Sequence, residues 1–209
     1  MHRQQEFDFG IPLPPRQPKL PDRVFLALLL EAKDNSRFAA LQRQLCDLNG
    51  IIGSLPLEER FHVSLQHVGD YKRLRSKTEF AAKRSGRLVE MPAFEVAFHH
   101  GVSFPGRPAV RGDRRLVRSC FWPKRPVCEL SQLIGIAMKA NGLKSADHCV
   151  PHVTLAYDEK FVPRQAIDPI SFVAREFILI QQPARPDDPQ GLGSLVPDHR
   201  VVMLQSRAS

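Results

Sequence analysis

The sequence predicts an α+β fold built from two similar lobes. Two observations lead to this prediction: strand-length apolar runs alternate with segments of helical periodicity, and the order strand, helix, strand occurs twice. The first copy comprises strand 23–30, helix 36–49 and strand 61–68, and the second comprises strand 114–121, helix 126–141 and strand 151–157. Such a duplication favours two lobes related by a pseudo-two-fold axis.

The elements of the first copy follow from its apolar pattern. Arg23 to Leu30 is a continuous apolar run of strand length, which is typical of a buried central strand. A helix follows, because its large apolar residues recur on one helical face: Phe38, Leu41, Leu45 and Leu48. Its expected N-cap is one of three consecutive polar residues: Asp34, Asn35 or Ser36. Asn49-Gly50 is expected to end it.

The remaining elements are predicted in the same way. We expect a basic helix at 71–85, a strand at 93–103 and a loop at 105–112. Pro126 is a good first residue for the helix of the second copy. Strands at 170–181 and 200–205 follow, and a loop at 182–199, rich in Pro, Asp and Gly, joins them.

The chain is predicted to divide into a short arm and one domain. Residues 1–22 contain five prolines, which exclude a helix and favour an extended proline-rich arm. The alternation of apolar residues within it is consistent with an arm that lies on the body of the protein, and a mobile tail is an equal alternative. Residues 23–209 are predicted to form a single domain of two lobes, and we expect a monomer.

Composition narrows the class of protein. The 209 residues are 43% hydrophobic, and Gly and Pro are only 12 and 18 of them, which excludes a disordered or low-complexity chain. There is no apolar run of about 18 residues, so no membrane span is expected. The first residues lack the apolar segment of a signal peptide. Four irregularly spaced cysteines, without C-x-x-C, fit a reducing cytoplasm better than a metal or disulfide framework.

The positive charge is concentrated in two segments. The chain has a net charge of +8. Residues 71–90 contain seven Lys or Arg and two acidic residues, and residues 106–125 contain seven Lys or Arg and one acidic residue. Clustered positive charge favours an anionic partner, most commonly a phosphate backbone. A solvated surface without a partner is the alternative.

A pair of aligned pentapeptides is the clearest motif. Phe61 to Leu65 (FHVSL) aligns with Pro151 to Leu155 (PHVTL) at an offset of 90 residues. Because side chains alternate along a strand, His62 and Ser64 share one face, and the apolar residues between them face a core. His152 and Thr154 share a face in the same manner. Two-fold related lobes would bring the two imidazoles together across a cleft.

Two facing histidines suit phosphodiester cleavage. Their ordinary pKa of ~6.5 allows one to be neutral and the other protonated near neutral pH. The neutral ring can take a proton from an attacking oxygen, and the protonated ring can give one to the leaving oxygen. The hydroxyls of Ser64 and Thr154 can hold the non-bridging phosphate oxygens. This chemistry requires no metal and no cofactor.

The residues now carry a family resemblance. The paired His-x-Ser/Thr-x motifs, with "RVFLALLL", "PHVTLAY" and "SFVAREFILI", resemble the 2H phosphoesterase superfamily, and more narrowly the bacterial 2′–5′ RNA ligases, also called RNA 2′,3′-cyclic phosphodiesterases. The resemblance runs from about Arg23 to Gln205. It implies antiparallel sheets flanked by helices around a central cleft. It also implies that His62 and His152 are the catalytic pair and that Ser64 and Thr154 bind the phosphate.

The resemblance also implies a reaction. The enzyme would open a 2′,3′-cyclic phosphate at an RNA end to a 2′-phosphomonoester. His152 would activate the water and His62 would protonate the departing 3′ oxygen. In reverse, with a 5′-hydroxyl in place of water, the same site would join RNA ends through a 2′–5′ bond.

The chain departs from the group at three positions. Ser64 replaces the usual Thr, and Gln66 and Tyr157 are assigned to positions where the group tends to carry Arg. We therefore take Tyr157, Gln66 and Arg118 as candidate substrate contacts, with Arg115 or Lys160 as other sources of a cation. Two other functions stay open: an RNA-binding module that has lost turnover, and a phosphodiesterase for a small cyclic nucleotide.

Two further residues have alternative interpretations. His67 is an odd number of residues from His62, so it is expected to face the opposite side of the strand and to be a structural or surface residue. Trp122 follows a basic strand and is expected in a core, with base stacking as the alternative.

Overall fold

The computed structural model describes residues 21–104, 114–119, 125–148, 150–182 and 202–203, with 114–119 and 202–203 described by their backbone alone. Several sequence-based predictions lie outside these residues: almost all of the 1–22 arm, the loops 105–112 and 182–199, Trp122, Cys120 and Cys149.

The described strands form two antiparallel sheets. Along the chain the strands are β1 Asp22–Leu29, β2 His62–Tyr71, β3 Phe94–Phe104, β4 Arg114–Ser119, β5 His152–Asp158, β6 Gln165–Ala174, β7 Glu176–Gln182 and β8 Val202–Met203. The first sheet has the order β2-β1-β7-β8, and the second has the order β5-β4-β3-β6. The two sheets meet where β2 contacts β5. The α+β fold with antiparallel sheets is thereby confirmed.

Three α-helices and a short 3₁₀ helix complete the described elements. They are α1 Ala32–Asn49, α2 Ser76–Arg87, α3 Arg125–Ala140 and the 3₁₀ helix Glu58–Arg60. The expected N-cap of α1 is wrong, because the helix begins before residues 34–36 and Glu31 takes the cap position. Asp34 instead lies buried in the first turn, where its carboxylate accepts a hydrogen bond from Arg37 at 3.3 Å. Gly50 ends α1 in the left-handed conformation, as predicted.

The helices are exchanged between the two sheets. α1 connects β1 to β2 of the first sheet, yet it packs against β5 and β6 of the second. Phe38 of α1 contacts Phe98 of β3 edge-on, with ring centroids 5.4 Å apart. α3 connects β4 to β5 of the second sheet, yet it packs against β2 of the first and against α2. The main hydrophobic core of the described residues therefore takes side chains from both sheets and all three helices.

The predicted strand 170–181 is wrong as a single element. The chain passes from β6 to β7 at Arg175, and the two strands belong to different sheets. Both are rich in β-branched and aromatic residues, so periodicity alone could not reveal the change of sheet. None of the helices in the described part of the chain is long and apolar enough to cross a membrane.

Candidate active site

The two motif histidines occupy the same place in their strands and are held in the same way. His62 and His152 are the first residues of β2 and β5. The Nδ1 of His62 donates to the carbonyl of Arg60 at 2.7 Å, and the Nδ1 of His152 donates to the carbonyl of Val150 at 2.7 Å. A carbonyl oxygen can only accept, so Nδ1 carries the proton in each ring. In the neutral state the Nε2 of each imidazole is therefore the lone-pair nitrogen.

Each imidazole also rests against a phenylalanine. The ring of Phe25 in β1 lies 5.1 Å from that of His62, and the ring of Phe104 in β3 lies 5.0 Å from that of His152. The register of both sheets places these phenylalanines on the face turned away from the main core. We call this face of each sheet the groove face. The ring contacts and the backbone hydrogen bonds together restrict the rotation of both imidazoles.

The two histidines are electrostatic neighbours. The pKa of His62 is lowered to about 4, and burial is the largest cause. The hydrogen bond to the Arg60 carbonyl opposes this decrease, while the charges of His152, Arg60 and Arg23 contribute to it. His152 is thus close enough to influence the protonation of His62. At neutral pH His62 is neutral and presents an unprotonated Nε2.

The predicted alternation along both motifs is present. Val63, Leu65, Val153 and Leu155 are buried in the core. Ser64 is exposed and Thr154 is half-buried, each two residues after its histidine. The two imidazole–hydroxyl pairs therefore lie on β2 and β5, the strands through which the two sheets meet.

A β-bulge follows the hydroxyl residue in both strands. Ser64 pairs with Ala27 while Gln66 pairs with Leu26, so Leu65 is an extra residue in β2. In β5, Thr154 pairs with Val117 while Ala156 pairs with Leu116, so Leu155 is the extra residue there. The two bulged leucines are 90 residues apart, so the bulge is duplicated with the motif. A bulge reverses the alternation of side chains beyond it.

This reversal corrects the assignment of Gln66. Its side chain turns into the core, where it is 2% exposed, and its amide nitrogen donates to the backbone carbonyls of Ser131 and Ala146. Gln66 is therefore not placed to contact a substrate in the groove. Unbroken alternation from His62 and Ser64 would place Gln66 on the groove face, and the bulge that reverses it is defined only by the pairing with β1.

The same reversal corrects the prediction for His67. His67 pairs with Phe25 and shares the groove face with it, rather than facing the opposite side. Its Nε2 lies 3.1 Å from a carboxylate oxygen of Asp70. Tyr157 pairs with Arg115 and lies on the groove face of the second sheet, half-buried. His67 and Tyr157 are 90 residues apart, and this offset is the signal that could have identified His67 as the counterpart of Tyr157.

Of the residues predicted to contact the substrate as cations, Arg118 lies in β4 and Lys160 follows β5. The backbone of Arg118 pairs with Val153 in β5, and its side chain lies outside the described part of the structure. Lys160 is exposed beyond the end of β5, where its backbone N–H donates to Asp158 at 2.7 Å. Most of the first basic segment lies on α2 and the residues just before it, and α2 packs on α3 rather than on the groove face.

No metal-binding group is visible among the side chains that the structure describes. Within them, no three His, Cys, Asp or Glu residues are arranged to hold a metal ion. The chemistry available in the described site is that of two imidazoles and two hydroxyls.

The fold has clear relatives among solved structures. The sequence matches no family model and no curated protein. The structure is similar to E. coli LigT in complex with phosphate, with a TM-score of 0.58, 17% identity, and coverage of 89% of this chain and 96% of that one. It is similar to TT0787 of Thermus thermophilus, with a TM-score of 0.61, 16% identity, and coverage of 89% and 100%. A structure described as a phosphoesterase gives a TM-score of 0.59 at 17% identity, with coverage of 88% and 96%.

These similarities define the class of fold. The chain has the fold of the 2H phosphoesterases, over nearly the whole length of the solved structures that it matches. The fold expected from the resemblance is therefore confirmed.

Proposed function

We propose that this protein is a phosphodiesterase that opens the 2′,3′-cyclic phosphate of an RNA end to a 2′-phosphomonoester. The observation that carries the proposal is the pair of histidines held in the same tautomer where β2 meets β5, each followed by a hydroxyl on the same face. The fold shared with LigT and with a phosphoesterase supports it.

In the proposed reaction His62 is the base and His152 the acid. Because its pKa is lowered to about 4, His62 is neutral at pH 7 and its Nε2 can accept a proton from water. The water oxygen forms a bond to phosphorus, the bond from phosphorus to the 3′ oxygen breaks, and His152 supplies the proton to that oxygen. These roles are the reverse of those that the family resemblance implied, and the burial of His62 is the reason.

The hydroxyls and the reverse reaction complete the proposal. Ser64 and Thr154 each follow a motif histidine by two residues on its strand, and in the proposed reaction their hydroxyls donate to non-bridging phosphate oxygens as charge builds up. With a 5′-hydroxyl in place of water, the same groups would form a 2′–5′ bond. The reaction draws on these side chains alone, so it should survive chelation of metal ions.

The direct test is product analysis on a defined RNA that ends in a 2′,3′-cyclic phosphate, with and without EDTA. We expect a 2′-monoester, formed equally in both conditions. His62→Ala and His152→Ala should each reduce kcat by about 100-fold or more. A matched control is His148→Ala, which removes an exposed histidine from the loop before β5. Full activity of the double variant at His62 and His152 would overturn the proposal.

A second candidate, a phosphodiesterase for a small cyclic nucleotide, is favoured by the position of α2. This basic helix packs on α3 and not on the groove face, so its charges are poorly placed for an RNA strand that enters the groove. Turnover of a cyclic mononucleotide that is not improved by RNA length would select this candidate. Neutralising Arg84 and Arg87 together should then leave KM for RNA unchanged, whereas a marked rise would favour RNA.

A further inference from the structure

In each motif strand, the duplicated bulge leaves one backbone carbonyl outside the regular hydrogen bonds between neighbouring strands. These are the carbonyls of Leu65 in β2 and Leu155 in β5, each directly after the hydroxyl residue of its motif. A buried carbonyl without a donor is costly, so each requires a partner from another part of the fold.

The partner in each case comes from the helix of the other repeat. Gln42 of α1, in the first repeat, donates its amide to the carbonyl of Leu155 at 2.7 Å. Ser131 of α3, in the second repeat, donates its hydroxyl to the carbonyl of Leu65 at 2.8 Å. Gln42 is 6% exposed and Ser131 is 1% exposed, so water does not compete for either bond.

The same network reaches the segment that leads into the opposite histidine. Gln42 also donates to the carbonyl of Pro56 at 3.1 Å. Gln66, next to the bulge of β2, donates to the carbonyl of Ala146 at 3.1 Å and accepts from its N–H at 2.9 Å. Pro56 and Ala146 each lie six residues before a motif histidine, His62 and His152 respectively.

The two halves of the network are therefore reciprocal. Gln42 joins the bulge after His152 to the segment before His62. Gln66 joins the bulge after His62 to the segment before His152, and it also donates to the Ser131 hydroxyl at 3.1 Å and to the Ser131 carbonyl at 2.9 Å. Each motif is thus tied at both ends to elements that belong to the other.

We propose that Gln42, Gln66 and Ser131 are positioning residues that fix the separation and orientation of His62 and His152. This inference rests on the proposed two-histidine function. None of the three residues lies on the groove face, so they act through the backbone of the motifs and not on the substrate. The physical requirement is strict, because a misplacement of about 1 Å between reacting groups can lower the rate by about 100-fold.

The test uses a matched pair of serine variants. Ser131→Ala removes the donor to Leu65. Ser85→Ala removes an equally buried hydroxyl, which donates to carbonyls of α2 and α3 and has no bond to either motif. We expect Ser131→Ala to lower kcat by about 10-fold or more with KM changed less than about threefold, and Ser85→Ala to change neither. Ser131→Thr, which retains a hydroxyl, should restore kcat.

A second readout does not depend on turnover. Loosening of the network should admit water to His62, so an NMR titration of its imidazole should give a pKa raised by about one unit or more in Ser131→Ala and Gln42→Met. Ser85→Ala should leave this pKa at the wild-type value. If wild type proves inactive on cyclic phosphates, the proposed function fails and this titration still decides the positioning role.

Folded Ser131→Ala with wild-type kcat and an unshifted His62 pKa would overturn the inference. If Gln42→Met does not fold, Ser131→Ala decides alone, since it removes one hydroxyl and leaves the helix backbone intact.

Discussion

His62 and His152 are held alike by their backbone hydrogen bonds, but the surroundings of His62 determine its charge. Both Nδ1 atoms donate to the carbonyl two residues earlier, which leaves both Nε2 atoms for proton transfer. His62 has positively charged neighbours in Arg60 and Arg23, and burial is the largest cause of its lowered pKa. The same burial that makes it neutral as a base also makes its protonation costly to the fold.

The first prediction concerns stability and pH. The pKa of His62 is about 4 in the folded protein and ~6.5 when unfolded. The unfolded chain therefore binds more protons between these values, and stability is lost as pH falls from about 6.5 towards 4. Between pH 7 and pH 5 wild type should lose about 2 kcal/mol more than His62→Gln in urea unfolding. His148→Gln, at an exposed histidine, should behave as wild type. Parallel pH curves for wild type and His62→Gln would contradict the burial effect.

The second prediction concerns the pH dependence of the rate. If neutral His62 is the base, kcat/KM should keep its plateau well below pH 6.5 and fall only as pH approaches 4. The alkaline limb should report loss of the proton from the acid, and both limbs belong to the coupled pair. An acid limb near the ordinary histidine pKa would contradict His62 as the base and would favour His152 as the base with His62 as the acid.

At the scale of elements, the segment after α1 is joined to the edge of β5. Ser54 forms an antiparallel bridge with Tyr157. The N–H groups of Ile52 and Gly53 donate to one carboxylate oxygen of Asp158, at 3.0 Å and 2.7 Å. Burial alone would raise the pKa of Asp158, but these and neighbouring backbone donors lower it below its usual value. The segment continues to Pro56, so this junction also supports the contact with Gln42.

The third prediction follows from the close approach of Gly53. A Cβ at Gly53 would overlap the carbonyl oxygen of Tyr157, so the main chain would have to move. Gly53→Ala should destabilise the protein by about 3 kcal/mol or more. The control is Gly142→Ala: Gly142 has φ +75° and open space around its Cβ position, so the substitution should cost only about 1–2 kcal/mol. If Gly53→Ala and Gly142→Ala lower the free energy of unfolding in urea by equal amounts, the segment around Gly53 does not lie against β5 as described.

At the scale of the whole molecule, neither repeat builds a core of its own. α1 covers the second sheet and α3 covers the first, so each repeat buries its helix against the other. Motif geometry and global stability therefore depend on the same interface.

The fourth prediction is that the two lobes unfold together. Because the helices are exchanged, opening one lobe would expose the core face of the other. Calorimetry should give one transition with an enthalpy equal to its van 't Hoff value. Two resolved transitions, or a calorimetric enthalpy well above the van 't Hoff value, would mean that the lobes are independent.

Local pattern was sufficient to predict much of this fold and to single out the candidate site. The continuous apolar run of β1, the helical spacing in α1 and the aligned pentapeptides predicted these elements, the duplication and the histidine pair. The first residues of α1 and α2 lie several residues from their predicted positions, because cap positions depend on backbone geometry that composition only approximates.

The sequence by itself determined that two imidazole–hydroxyl pairs stand at equivalent positions of a repeated strand–helix–strand unit. The tertiary structure decided which sheet each helix covers, that residues 170–181 divide between two sheets, and that Gln66 turns inward while His67 turns outward. The reason is physical. The periodicity of a sequence indicates which face of a helix or strand is apolar, but it does not indicate which other element that face packs against. A bulge is defined only by the pairing of a strand with its partner strand. The lowered pKa of His62 likewise comes from burial and from charges that only the fold brings together.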